Sequence, residues 1–536
     1  MTVPSSIVHL SLLGTLLAGI AACGAKKEPV EIEALIYRQP VVAPADDDPA
    51  GRRYALQYCQ SCHRYVEPEA LSKAVWESYV IPRMGGLLGM HHAGYPYERL
   101  VNEGRTDDEK AMIAQAAIYP DEPLVPSAHW DTLAAYLIAQ APDSLPLPDP
   151  PIRAATGLPF TVVDWPYRKD IPTTTLVHID EARRHLWVGD LLTQRLTLLD
   201  PSGTVVQDIP VGNAPVSLRR VEDRLWVTSI GQVYPADSPD GEVVVLEEVE
   251  GSFRFFPGNR KLAALLRPVH TTYADLNEDG REDLVVSEYG NQAGRLSWYE
   301  SLAGGRYQRH VLSDQPGSMQ SRLHDFNGDG NADIAVVFGQ NREGVFIYYN
   351  EGAGQFTESY ALQIPPHYGT SSFALADFNE DGHIDILATH GDNGDYPPIL
   401  KPYHGLRIYE NNGLNFFEEV FFFPMHGAYD ARPEDFDGDG DLDIVAIAMF
   451  PDFDTAPEDA FVYLDNQGDY QFTASSTPDA ARGRWLTMDV GDLDGDGDKD
   501  VVLGSFIRGP SAVPPERMLQ WEHERVPLLF LENTWK

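Results

Sequence analysis

The alternation of apolar and polar residues changes character along the chain. Residues 127–142, SAHWDTLAAYLIAQAP, place Trp130, Leu133, Tyr136 and Leu137 three or four positions apart, which predicts an amphipathic helix. A second helix is predicted over GRRYALQYC, residues 51–59. From about residue 158 the apolar residues come instead in short runs rich in Val, Ile and Leu, bounded by Gly and polar residues, which predicts β-strands. The pattern therefore predicts a small helical segment followed by a long β region.

One acidic pattern recurs five times in the β region: DLNEDGRED, DFNGDGNAD, DFNEDGHID, DFDGDGDLD and DLDGDGDKD, beginning at Asp275, Asp325, Asp377, Asp435 and Asp492. The starts are 50, 52, 58 and 57 residues apart, near the length of a four-stranded propeller blade. Each copy is followed by a short apolar run such as DLVVSEYG, so each loop is expected to join two strands.

The residue types in these loops are those that bind a hard cation. Oxygen-bearing side chains stand at positions 1, 3, 5 and 9, and a Gly at position 6 permits the sharp turn. An EF-hand would need flanking helices and a Glu at position 12, where the chain has Val286, Val336, Ala388, Ala446 and Leu503. About five Ca²⁺ ions are therefore expected, with a structural role first. The predicted ligands are Asp275, Asn277, Asp279, Asp283, Asp325, Asn327, Asp329, Asp333, Asp377, Asn379, Asp381, Asp385, Asp435, Asp437, Asp439, Asp443, Asp492, Asp494, Asp496 and Asp500.

The loops resemble the calcium loops of FG-GAP and VCBS repeats, as in the integrin α-subunit head, and this resemblance implies a β-propeller. Two further blades are predicted upstream, around HLWVGD at Trp187 and RLWVTS at Trp226. Two and five blades make seven, although six or eight remain open. The early strand FTVVDW near Val163 is expected to complete the final blade beside PLLFLENT, because closure removes exposed strand edges.

Two of the three cysteines form Cys59-Gln-Ser-Cys62-His63, the spacing at which two thiols bind the vinyl groups of one haem c and the adjacent His binds iron. Residues 51–148 resemble a small class I cytochrome c domain. The expected fold class is thus multidomain, an all-α cytochrome c domain followed by an all-β propeller over residues 158–536. Met84, in the Pro- and Gly-containing segment IPRMGG, is the favoured sixth iron ligand because a loop there can turn its sulfur inward. Its rivals are Met90, Met112, His91 and His92.

The third cysteine follows an apolar run at residues 7–22 that has the length of a signal-peptide core. Ile20-Ala21-Ala22-Cys23 resembles the lipobox of bacterial lipoproteins, which implies a signal peptide over residues 1–22, lipidation of Cys23 and export. Residues 23–50 are expected to form a flexible tether. Gly24 after the cysteine favours the outer membrane by the same resemblance.

The net charge and the motifs of the chain favour some classes of function over others. The formal charge of -41 argues against nucleic acid as a partner. No motif for nucleophilic catalysis is present, so an electron carrier with a redox partner protein or companion enzyme is expected rather than a catalyst. Two alternatives stay open: a propeller dehydrogenase whose electrons leave through the haem, and a calcium-dependent adhesion or glycan-binding protein.

Two groups of propeller residues could bind a ligand. The insertion at residues 390–405, HGDNGDYPPILKPYHG, is the strongest candidate for surface recognition. Side chains just before the acidic loops are expected near the central channel: His270, Gln320, Arg322, His324, Asp430 and Arg432.

Overall fold

The computed structural model describes residues 29–36, 41–90, 106–148, 157–394, 399–511 and 513–535. The predicted signal peptide and Cys23 lie outside these residues, as do His91 and His92. Within them, no helix has the length and apolar character needed to cross a membrane. The described helices are α1 (Ile32–Leu35), α2 (Ala50–Cys59), α3 (Lys73–Val75), α4 (Ile81–Leu87), α5 (Asp107–Gln115), α6 (Ser127–Gln140) and α7 (Pro515–Glu524), with a π turn at Trp76–Val80 and 3-10 turns at Pro68–Ala70, Glu181–Arg183, Pro457–Ala460 and Pro478–Arg482.

Helices α2, α3, α4 and α6 share one apolar cluster. The predicted stripe on α6 is buried at Trp130, Leu133 and Leu137, and it packs against α2. The approach of the two helices is close, since a Cβ built at Gly51 would lie 2.1 Å from the Cβ of Tyr136. Any residue larger than Gly at position 51 would push the helices apart. We call α2 to α6 the helical unit.

The β region forms seven four-stranded antiparallel sheets, which confirms the predicted seven-bladed propeller. Six blades take four consecutive strands each. They are β2 to β5 (Thr174–Asp180, His185–Asp190, Arg195–Leu199, Val205–Pro210), β6 to β9 (Pro215–Val221, Arg224–Ser229, Gly241–Val249, Ser252–Leu265), β10 to β13 (Pro268–Ala274, Asp283–Glu288, Arg295–Leu302, Arg306–Ser313), β14 to β17 (Ser318–His324, Asp333–Phe338, Gly344–Asn350, Phe356–Gln363), β18 to β21 (Thr370–Ala376, Asp385–His390, Gly405–Asn411, Phe417–Pro424) and β22 to β25 (Ala428–Glu434, Asp443–Ala448, Phe461–Asn466, Phe472–Ser475).

The seventh blade closes the ring with a strand from the other end of the β region. It contains β26 (Trp485–Gly491), β27 (Asp500–Ser505) and β28 (Leu528–Asn533), and β1 (Phe160–Val163) is its outermost strand. Phe160 pairs with Asn533 in the antiparallel register. The first strands of successive blades contact one another around the whole ring, from β2 to β26 and back to β2. The predicted closure by the strand near Val163 is confirmed.

Apolar side chains fill the space between neighbouring blades. Each of the seven blade interfaces has its own buried cluster, for example Val445, Phe461 and Leu503 between the sixth and seventh blades. Leu35 of α1 is 1 % exposed and belongs to the cluster between the fourth and fifth blades. Part of the predicted flexible tether is therefore fixed, because burying Leu35 anchors this segment on the propeller.

The two faces of the propeller carry different structures. Since every blade has the same strand order, the turns between first and second strands all emerge on one face. These turns contain the five acidic loops, so we call this the acidic-loop face. The opposite face carries the turns between second and third strands and the links between blades. There the helical unit docks, with hydrogen bonds from Tyr119 to Gln292 (3.2 Å) and from the Asp237 N–H to Glu109 (3.1 Å).

Candidate functional site

Every acidic loop is fixed by the buried carboxylate at its ninth position. In the second loop, Asp333 Oδ2 accepts the Phe326 N–H at 2.9 Å and Oδ1 accepts the Asn350 N–H at 2.7 Å. One carboxylate thus ties the start of its own loop to the third strand of its blade. The same pair of bonds recurs at Asp283, Asp385, Asp443 and Asp500.

The remaining loop positions turn the chain around the first carboxylate. Gly330 has a φ of +94°, and its N–H donates to Asp325 Oδ2 at 2.9 Å. The predicted role of the Gly at position 6 is therefore confirmed. Position 4 also has a left-handed backbone, where Gly328 has a φ of +76° but Glu278 and Glu380 have φ of +59° and +56°. Those two glutamates adopt a conformation that favours Gly.

Two loops bring three carboxylates together. In Asp435, Asp437 and Asp443, one carboxylate oxygen from each lies within 4.8 Å of the others, and the same holds for Asp492, Asp494 and Asp500. The other three loops have Asn instead of Asp at position 3. Burial raises the pKa of Asp443 to about 7 and that of Asp500 to about 6. An all-oxygen donor set with crowded, buried carboxyl groups fits a divalent cation such as Ca²⁺.

Asparagines at the ends of third strands hold the acidic loops, and the sequence reasoning missed them. Asn411 and Asn466 donate to the loop of their own blade, at the Ile384 and Leu442 carbonyls, whereas two others reach the loop of the preceding blade. Asn350 Nδ2 donates to the Leu276 carbonyl of the preceding blade's loop at 3.0 Å. Asn533 Nδ2 donates in the same way to the Phe436 carbonyl at 2.8 Å. The recurring strand endings YYN, YEN, LDN and LEN were the available signal.

The cysteine–histidine motif begins where α2 ends. Cys59 is the last residue of the helix, and Cys59 and Cys62 are both free thiols. His63 Nδ1 lies 2.8 Å from the Arg64 carbonyl, and burial lowers the pKa of His63, which favours the neutral ring. A neutral ring that donates through Nδ1 has Nε2 free as a ligand. The hydroxyl of Tyr65 nearby is buried and has no hydrogen-bond partner among the described residues.

The candidate sixth ligands lie in different settings. Met84 is in α4 and packs, partly buried, in the apolar cluster that also contains Cys59. The predicted loop around Met84 is wrong, because Gly85 and Gly86 continue the helix. Met90 is 2 % exposed and fills the core below Gly85, whereas Met112 is in α5 as predicted for a helical Met.

The insertion at residues 390–405 contacts the helical unit. Ile399 packs against the apolar cluster of that unit, and Lys401 and His404 are each 1 % exposed. Burial of Lys401 and His404 argues against a recognition role for these two residues, whereas Gly394 is exposed, so recognition by the rest of the insertion stays a prediction. Residues 395–398 lie outside the described part of the chain.

A group of rings on the propeller faces the cysteine–histidine motif. Tyr403 stacks on Tyr368 with ring centroids 5.3 Å apart, and both make edge contacts with His367. Burial lowers the pKa of His367 to about 3, and the charges of Arg64 and His63 contribute to the decrease. The motif and these propeller rings are thus close enough to interact electrostatically.

Five of the six predicted channel residues meet on the inner strands. Arg322 lies 3.4 Å from both His270 Nε2 and Gln320 Oε1, and Arg432 pairs with Asp430 at 2.9 Å. His324 stands apart from them, exposed at the end of β14 on the acidic-loop face.

Comparison with known proteins agrees with the repeat assignment. The model of the FG-GAP-like repeat family matches residues 275–336, 325–388 and 435–503. The fold and the acidic loops define a seven-bladed β-propeller protein, and this chain carries FG-GAP-like repeats within it. No curated protein matches the chain.

Solved structures match the chain at low identity. Sqt1 of Saccharomyces cerevisiae is 8% identical with a TM-score of 0.42, over 68% of this chain and 96% of that one. The β-propeller domain of Myceliophteria thermophila Cps50 is 8% identical with a TM-score of 0.40, over 70% and 99%. The calcium-binding protein regucalcin of Agrobacterium tumefaciens is 10% identical with a TM-score of 0.35, over 68% and 91%.

Proposed function

We propose that this protein is an exported electron-transfer protein, in which one covalent haem c carries single electrons and a calcium-loaded propeller docks a redox partner or companion enzyme. The observation that carries the proposal is the motif itself: two free thiols at the end of α2 beside an imidazole whose Nδ1 is already engaged. The propeller with its FG-GAP-like repeats is suited to docking a ligand or partner.

The residues around the motif fit a haem. Cys59 and Cys62 would hold it through two thioether bonds, and His63 would bind iron through Nε2. The buried Tyr65 hydroxyl is a polar atom without a partner in the same pocket, and Met84 supplies a thioether in the shared apolar cluster. When bound, haem supplies a one-electron iron couple, and a Met ligand at the sixth position favours the reduced form.

The propeller is proposed to close this pocket from the other side. His367, which contacts the rings of Tyr368 and Tyr403, is close enough to His63 to interact electrostatically, and Ile399 extends the apolar cluster of the helical unit. An apolar cover excludes water from iron and raises its reduction potential. The helical unit and propeller would then act as one electron-transfer body.

Calcium and the membrane anchor complete the proposal. The five acidic loops would bind about five Ca²⁺ through the predicted oxygen ligands and so stabilise the blades. Cys23 would be lipidated and would hold the protein at the outer membrane. Loss of labelled fatty acid from a Cys23→Ser variant, expressed in a bacterium that processes lipoproteins, tests the anchor.

The main experiment is a reduced-minus-oxidised visible spectrum with a redox titration, on protein made in a haem-ligating host. The wild type should show a c-type α-band, a positive potential and a thioether charge-transfer band. Met84→Ala should abolish that band and lower the potential, whereas the matched control Met112→Ala should change neither.

The outcomes separate the parts of the proposal. A protein without covalent haem would overturn the electron-transfer function and leave the propeller to bind a ligand alone. Covalent haem with a Met84→Ala spectrum identical to wild type would retain the carrier but remove Met84 as the ligand. A Cys59→Ser/Cys62→Ser double variant, which should hold no covalent haem, serves as the blank.

A further inference from the structure

The repeat sequence arranges the inner strands in two layers of side chains. The two layers lie at two positions of each inner strand, the residues five and three positions before the first Asp of the acidic loop. The residues on either side of them along the strand face the blade interior, because side chains alternate in direction along a strand. The layer at three positions contains Thr272, Arg322, Ala374, Arg432 and Asp489. The layer at five positions contains His270, Gln320, Ser372, Asp430 and Thr487. Two guanidinium groups therefore share one level of the ring of inner strands.

Arg322 has only neutral partners among the described residues. Its Nη1 donates to the Ser321 carbonyl at 3.1 Å and lies 3.4 Å from His270 Nε2, and its Nη2 lies 3.4 Å from Gln320 Oε1. No described carboxylate oxygen lies within 4.0 Å of this guanidinium. Asp430 and Asp489 act on Arg322 only from a longer distance, where their charges raise its pKa. A buried cation that no anion contacts directly is costly, so this site favours an anion.

Arg432 adds a second positive charge with unused hydrogen-bonding capacity. Its Nη2 pairs with Asp430 Oδ2 at 2.9 Å, but its Nε is buried without a hydrogen-bond partner in the described chain. The charges of the two arginines are close enough to oppose each other: burial and the nearby Arg432 lower the pKa of Arg322 to about 10. The positive charges of Arg322 and Arg432 are therefore only partly neutralised by direct ion pairs.

The acidic groups at this level are engaged elsewhere. Asp430 Oδ1 accepts the Ser372 hydroxyl at 2.5 Å while its Oδ2 holds Arg432. Asp489 Oδ2 accepts the Ile179 N–H at 2.8 Å and lies 3.4 Å from His178 Nδ1. Neither carboxylate is paired with Arg322.

The site is open toward the acidic-loop face. His324, two residues beyond Arg322 on β14, is exposed at the mouth. At about 3.3 Å per strand residue, Arg322 lies roughly 7 Å below that mouth. Arg322 and His270 keep part of their surface accessible although protein surrounds them, as expected for side chains that line a narrow channel.

We propose that Arg322 and Arg432 form an oxyanion site in the central channel of the propeller, which binds a carboxylate or a tetrahedral oxyanion such as a sulfate group. Arginine provides the planar, forked donors that bind such groups in pairs. Gln320 and the Arg432 Nε–H supply further polar contacts around the same space. This site is independent of haem binding.

The experiment measures binding of sodium sulfate and of sodium acetate to the calcium-loaded full-length protein by titration calorimetry. Chloride keeps the ionic strength constant, and the two probes distinguish a tetrahedral from a planar anion. Wild type should bind at least one probe, and Arg322→Gln and Arg432→Gln should each weaken that binding tenfold or more. Arg342→Gln, on a half-buried Arg that pairs with Glu358 in the same blade, should leave it unchanged.

A second variant keeps the proposal falsifiable where an arginine substitution prevents folding. Gln320→Glu places an isosteric carboxylate beside Arg322, so it should abolish anion binding and raise the melting temperature without added anion. A lower melting temperature for Gln320→Glu would show that Arg322 already has its counter-charge and would overturn the proposal. So would a wild type that binds neither probe, or an Arg322→Gln variant that binds as wild type does. Selenate soaked into crystals should give an anomalous peak between the two guanidinium groups.

Discussion

Removing calcium should destabilise the propeller, and the loss should increase as the pH rises from about 5 to 8. The reason is the buried carboxyl at the ninth position of each loop. Burial, together with the neighbouring charges of Asp329 and Asp325, raises the pKa of Asp333 to about 7. Without a cation, this carboxyl is protonated in the folded protein at pH 5 and ionised at pH 8. With calcium bound, it is held as the carboxylate at both pH values.

The sign follows from proton linkage. A carboxyl whose pKa is raised by folding binds its proton more tightly in the folded state, so its stabilising contribution is complete below the unfolded pKa and is lost as the pH rises through about 7. A shift from 3.8 to about 7 corresponds to at most roughly 4 kcal/mol for Asp333. Calcium at one hundred times its Kd adds about 2.7 kcal/mol per site. Without calcium the free energy of unfolding should therefore fall as the pH rises from 5 to 8, whereas with calcium saturating this carboxyl should contribute no pH dependence over that range, because it is ionised in both the folded and the unfolded state.

Urea unfolding followed by circular dichroism at pH 5 and pH 8 measures this difference, with calcium either saturating or removed on a chelating resin. Asp333→Asn should be more stable than wild type at pH 8 without calcium and less stable with it. The control Asp208→Asn lies in the first blade, in an exposed pair with Arg195, and should not respond to calcium. Equal losses at the two pH values, or an Asp333→Asn variant insensitive to calcium, would refute the reasoning.

Three further substitutions test the propeller scaffold, each by urea unfolding with calcium saturating. Glu278→Gly should raise the free energy of unfolding by roughly 0.5–1 kcal/mol, because Glu278 has a φ of +59° that costs less for Gly, and no gain would contradict the strain. Asn533→Ala should lower it by about 1–3 kcal/mol, because the buried Phe436 carbonyl loses its 2.8 Å donor, and Asn533→Asp should not restore it. Phe160→Ala should cost about 3–5 kcal/mol, since Phe160 is 6 % exposed in the closing strand, and a cost below 1 kcal/mol would argue against ring closure by β1.

The propeller fold could be predicted from the sequence because the motifs that indicate it are local and occur in several copies. Each acidic loop fixes the junction of two strands, and Trp187 and Trp226 mark blades that lack such loops. Closure could also be predicted, since a strand near Val163 had no other partner and a propeller leaves few free edges. Helix periodicity located α2 and α6 for the same reason.

Contacts between residues far apart in the sequence could not be predicted from local patterns. Leu35 looked like part of a tether because the acidic, Pro- and Ala-rich stretch at residues 24–50 has no sustained apolar period, yet this residue is buried between two blades. The insertion at residues 390–405 looked like a surface loop, but Lys401 and His404 are buried and Ile399 packs against the helical unit. Met84 was placed in a loop because Gly85 and Gly86 are poor helix formers, and tertiary packing outweighed that preference.

The placement of the two candidate centres on opposite faces separates their roles. An inner strand of seven residues, such as β14, spans about 23 Å at about 3.3 Å per residue. Charges in the acidic loops are screened over about 8 Å at physiological salt, so bound calcium would have little direct effect on an iron potential on the far face. Calcium can therefore influence the helical unit only through the fold. Because Asn350 and Asn533 tie the loops at Leu276 and Phe436 to the following blades, a cation bound in either of these loops would stabilise the ring on which the helical unit docks.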